Sequence, residues 1–130
     1  MREVFSARRH PPCRFQNPGD YELFAATLKQ AKAAVADWQG QMYFLYPPSW
    51  EDLSGYASAL SLRRRVLEQV RSAEIPIPDA YPLMRGQQPS SFFFFERSHY
   101  TEEGHRVAAE VAADSLRGSG AMSIPERRGP

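Results

Sequence analysis

The spacing of apolar and polar positions changes several times along the chain. Tyr21, Phe24, Leu28, Ala31, Val35 and Trp38 recur at helical spacing. Asp20 heads that stripe as an N-cap candidate and Gly40 closes it, so a helix with one apolar stripe is predicted here. MYFLY, residues 42–46, is a continuous apolar run closed by Pro47 and Pro48. It reads as a strand buried on both faces, the mark of a parallel sheet. Ser49 and Asp52 have the Ser-x-x-acid form of a capping box, so a short helical turn is expected after Ser49. Leu62, Val66, Val70 and Ala73 mark a further helix. IPIPDAY, residues 75–81, reads as a weak strand, because Pro76 and Pro78 each remove a ladder donor. Residues 82–91 read as a loop. SFFFF, residues 91–95, fits either a last strand or an apolar loop packed on the core. The final helix opens at Thr101, with Glu102 and Glu103 suited to its positive end. Val107, Ala108, Val111, Ala112 and Leu116 form its apolar face.

This alternation of helical and extended patterns predicts an α/β fold: a partial three-layer, flavodoxin-like parallel sheet with flanking helices. The expected organisation is an irregular segment over residues 1–18, an α/β domain over 19–117 and a disordered tail over 118–130. No internal repeat is visible.

Composition adds limits. The chain has 130 residues, 42% hydrophobic and 24% charged, ordinary values for one globular domain. A formal net charge of +1 gives no global field toward nucleic acid or an anionic membrane. The cations are nearly all arginine, and the triplet Arg63, Arg64, Arg65 reads as a solvated helix face. A single cysteine, Cys13, rules out an internal disulfide and a multi-cysteine metal site. MREVFSARRH lacks the apolar core of a secretory signal, and no run is long enough to span a bilayer. The expectation is a soluble, cytoplasmic chain.

The candidate chemistry lies in FFFFERSHYTEEGHRVAAE. A catalytic histidine needs an acceptor for one ring N–H and a nucleophile facing the other nitrogen. Glu96 is the candidate orienting acid and His99 the candidate base, three residues apart at the mouth of a helix. His99, Glu103 and His105 do not share one helical face, so no metal site is expected. No Gly-rich phosphate loop is present, and no cofactor is expected.

ERSHYTEEGHRVAAEVAADSL resembles the C-terminal motif of the SGNH (GDSL-type) hydrolases, in which an Asp-x-x-His pair precedes a closing helix. QMYFLYPPSW and IPIPDAY resemble the strands before it in that family, so the likeness is to the C-terminal half of such a domain. The resemblance implies ester hydrolysis or acyl transfer on small acyl esters or acylated carbohydrate, with His99 as base and Glu96 where the family has Asp. The family's nucleophile lies in a Gly-Asp-Ser motif. Here Gly19-Asp20 is followed by Tyr21, and no serine nucleophile is recognised, so little activity is expected of the chain alone. A second reading is a non-catalytic interaction module. It would form a homodimer, or be completed by a missing N-terminal half, through an exposed sheet edge.

Overall fold

The computed structural model describes residues 17–96 and 98–119. The irregular segment expected over 1–18 lies mostly outside these residues, and so does nearly all of the tail expected from 118.

The described chain is mostly helical. Helix α1 spans Pro18–Asp37, α2 Trp50–Leu53, α3 Ala57–Ser72, α4 Tyr81–Met84 and α5 Glu102–Gly118, with a 3-10 turn at Pro89–Ser91. The three-layer α/β sheet predicted from sequence is therefore corrected. Among the described residues the extended pairing amounts to two isolated bridges, Tyr46 with Asp79 in parallel and Phe93 with Tyr100 in antiparallel. The physical reason lies in the prolines. Phe44 N–H donates to the Pro76 carbonyl at 2.9 Å and Tyr46 N–H to the Pro78 carbonyl at 3.2 Å. In a parallel ladder the return donors to residues 42 and 44 would be the N–H groups of residues 76 and 78. Both are proline and have none. The pairing thus runs one way until Asp79, where a full bridge closes.

Helix α1 begins earlier than its apolar stripe suggests. Asn17 is the N-cap, Pro18 takes the first helical position, and the Asp20 carboxylate accepts from Asn17 N–H at 3.1 Å. Gln39 turns left-handed at φ 59° just beyond the helix, and Gly40 N–H returns to the Val35 carbonyl at 3.0 Å. A Cβ on Gly40 would lie 2.9 Å from Val35 Cγ1, which fixes a glycine there.

Two small cores hold the helices. The first joins Leu28 of α1 to Val70, Ala73 and Ile75, with Phe24, Met42, Phe44 and Ile77 around them. Phe24 and Phe44 meet edge to face with centroids 6.0 Å apart. The second joins Ala80, Met84, Phe92, Phe93 and Val107, flanked by Trp50, Leu53, Tyr100 and Val111. The four phenylalanines therefore divide: Phe92 and Phe93 are buried, whereas Phe94 and Phe95 are exposed. Residues 92–101 form a narrow hairpin. Thr101 N–H reaches the Phe92 carbonyl at 2.8 Å and Phe94 N–H the His99 carbonyl at 3.3 Å. Thr101 then caps α5, its hydroxyl accepting from Gly104 N–H at 3.3 Å. Gly104 has no room for a side chain, since a Cβ would stand 2.5 Å from the Phe92 carbonyl oxygen.

Glu74 ends α3 in the left-handed region at φ 54°. Lys32 Nζ covers that helix end, donating to the carbonyls of Ala73 at 2.8 Å and Glu74 at 3.1 Å. A left-handed residue with a Cβ costs about 1 kcal/mol. The Glu74 side chain is exposed and its 3.7 Å pairing with Lys32 contributes little. Glu74→Gly is therefore expected to stabilise the fold by about 0.5–1 kcal/mol, seen as a higher urea midpoint at unchanged slope.

Candidate functional site

The buried chemistry gathers where the two extended segments end. Tyr46 and Asp79 are the bridged residues there. Two prolines follow Tyr46 and halt the extended run, and Ser49 then starts α2. Ser49 is the N-cap: its hydroxyl oxygen accepts from Asp52 N–H at 3.1 Å, while Asp52 Oδ2 accepts from Ser49 N–H at 2.8 Å. The capping box read from sequence thus forms. Its acid is also buried, which sequence did not suggest, while Ser49 is exposed. Asp52 is 2% exposed, and its Oδ2 takes further bonds from the Ser49 hydroxyl at 3.0 Å and the Tyr46 hydroxyl at 3.3 Å. Its Oδ1 is buried without a hydrogen-bond partner.

Arg63 lies beside this group. Its guanidinium pairs with Asp79 and stacks between the rings of Tyr46, at 5.3 Å, and Tyr81, at 4.4 Å. Asp79 Oδ1 also accepts from Tyr81 N–H at 3.1 Å, holding the start of α4. Sequence placed Arg63 on a solvated face with Arg64 and Arg65, and for Arg64 and Arg65 the structure agrees, both being exposed. Arg63 is the exception. It lies three residues before Val66 and so falls on the inward stripe, a spacing signal the charge triplet hid.

Tyr100 joins this group from the hairpin: its hydroxyl donates to the Pro48 carbonyl. The phenols of Tyr46 and Tyr100 are both held well above the ordinary tyrosine range, by burial first and then by the Asp52 carboxylate. The folded chain keeps them protonated where an unfolded chain would ionise. The stability they supply is complete below about pH 10 and is lost as pH climbs from there toward the folded values. Urea midpoints are therefore expected to fall between pH 9 and 11 (roughly the span over which an unfolded tyrosine ionises). The Tyr46→Phe, Tyr100→Phe double variant, normalised to its own midpoint at pH 8, should show a shallower fall.

The two residues proposed from sequence lie at the hairpin turn. His99 and Glu96 are both exposed, and no hydrogen bond joins their side chains. Ser98 N–H bonds the Phe95 carbonyl at 3.1 Å within the same turn. Ser49 Oγ is engaged by Asp52 rather than by a histidine. His105 is exposed, its ring edge-on to Tyr100 at 5.6 Å. No group of metal-binding side chains assembles among the described residues.

The arrangement is a set of structural polar contacts in which Asp52 Oδ1 and Arg63 Nε are left without a hydrogen-bond partner, and the base candidate lies outside it. The assignment as an SGNH-type α/β hydrolase or esterase is corrected accordingly: the sheet that mounts the histidine in such enzymes is not formed among the described residues. No described helix is long and apolar enough to cross a membrane. Comparison of the chain with protein-family models, curated proteins and solved structures finds no match in any of the three.

Proposed function

We propose that this chain is a non-catalytic interaction module that adds a strand at the outer edge of residues 42–46. One observation carries the reading. Phe44 and Tyr46 turn their N–H groups toward residues 76 and 78, whereas the main-chain N–H and C=O groups of Tyr43 and Leu45 have no main-chain partner among the described residues. Alternate residues of an extended run face opposite sides, so these four groups form one open edge. An open edge of this kind is a template for another strand.

The local sequence leaves that edge unguarded. Residues 42–46 contain no charge, proline or glycine, and Leu45 is 39% exposed. Natural edges that must stay unpaired carry lysine, proline or a bulge.

The test is hydrogen exchange at the amides of Tyr43 and Leu45. It is measured across a range of protein concentrations, and separately with an excess of acetyl-Thr-Val-Thr-Val-Thr-amide as a generic strand. Both amides are expected to slow by about tenfold or more in at least one condition, the effect of a bond worth about 1.4 kcal/mol. Exchange at the open-chain rate in every condition would refute the reading.

A further inference from the structure

The identity of the added strand can be taken one step further, on the strand-addition reading. We infer that the occupant is residues 42–46 of a second copy, running antiparallel, with a two-fold axis beside Phe44.

In that register Tyr43 stands opposite Leu45 of the second copy. Opposed residues of this type exchange both of their N–H···O bonds. The two such pairs make four bonds, which satisfy all the open groups of Tyr43 and Leu45 on both copies and leave none over. The next pair outward would match Gln41 with Pro47, and proline has no N–H to give. The ladder therefore stops itself at both ends. Side chains agree with this register. Tyr43 against Leu45 is an aromatic–aliphatic cross-strand pair, and it covers the exposed Leu45. No like charges meet, because residues 42–46 carry none, and a net charge of +1 gives little long-range repulsion between copies. A two-fold contact closes at two chains and does not propagate.

The test uses the full chain. Sedimentation equilibrium is expected to show a reversible monomer–dimer exchange. Leu45→Pro deletes a donor that no described main-chain group of one copy uses, and Leu45→Lys places a charge on each facing edge. Both variants are expected to sediment as monomers while keeping helical circular dichroism. If Leu45→Pro loses its helical signal, the lysine variant decides. Direction is read by cross-linking in a Cys13→Ser background. A mixture of Tyr43→Cys and Leu45→Cys chains is expected to form covalent dimers on mild oxidation, and each variant alone is expected to form few. Like-with-like cross-links would mean parallel pairing and would overturn the inference. A monomer at all concentrations whose edge amides are protected by the peptide would overturn the second copy and leave strand addition standing. A monomer with unprotected amides in every condition would overturn both.

Discussion

Phe92→Ala is expected to destabilise the fold by about 4 kcal/mol, the largest effect of any single truncation considered. Phe92 is 2% exposed and sits among Ala80, Met84, Phe93 and Val107, the buried group that ties the hairpin to α4 and α5. Removing the ring leaves a cavity under a backbone that cannot collapse freely. The Phe92 carbonyl is bound by Thr101 N–H, and Gly104 presses directly over it. Phe94→Ala, two residues on and 69% exposed, is the matched control and should change stability by less than about 0.5 kcal/mol. Urea unfolding followed by circular dichroism measures both. A loss under about 1 kcal/mol at Phe92 would mean that the second core does not close around this ring.

Asp52→Ala should be nearly as costly, at about 3 kcal/mol. The carboxylate is the common acceptor for Ser49 N–H, the Ser49 hydroxyl and the Tyr46 hydroxyl. Its loss leaves part-buried donors unpaired and removes the reciprocal cap of α2. Asp52→Asn keeps an acceptor and the shape while removing the charge, and is expected to cost only about 1 kcal/mol. The asparagine variant also has a pH signature. Asp52 helps raise the phenols of both Tyr46 and Tyr100, so neutralising it brings their folded values closer to the unfolded one. The alkaline loss of stability should then be shallower than in the parent. Equal costs for alanine and asparagine would show that the charge, and not the cap, holds this corner.

Much of the helical layout was legible because its signals are local. The Ser49–Asp52 box and the Thr101 cap were read correctly, since a cap depends on residues three apart. Helix α1 was found from its stripe, but its start was displaced: Asp20 serves at the third helical position, with Asn17 as cap. The sheet was over-read. MYFLY has the composition of a buried strand, yet a strand needs a neighbour with donors, and Pro76 and Pro78 deny them. In the sequence the prolines weaken the partner, and in the structure they leave one bridge, Tyr46 with Asp79. The phenylalanine run could not be divided from sequence, because the hairpin turn at 95–98 decides which rings face in. The buried polar corner was missed for a different reason. Asp52, Arg63, Asp79 and Tyr100 lie far apart in sequence, and only the folded chain brings them together.

Helix α1 is held lightly for its length. Of its twenty residues Leu28 is buried, while Leu23 is 69% exposed and Trp38, just past its end, is 82% exposed. A segment with so few buried contacts opens locally at a lower free energy than the whole molecule. Both lysines of the chain, Lys29 and Lys32, fall within this helix. A lysine-specific endoprotease thus cuts within α1 alone, and where the rest of the chain stays folded it reports the transient detachment of that helix. Cleavage is expected at Lys29 and Lys32 under conditions where α3 and α5 stay folded, and the 33–130 fragment, which contains no further lysine, should accumulate as the end product.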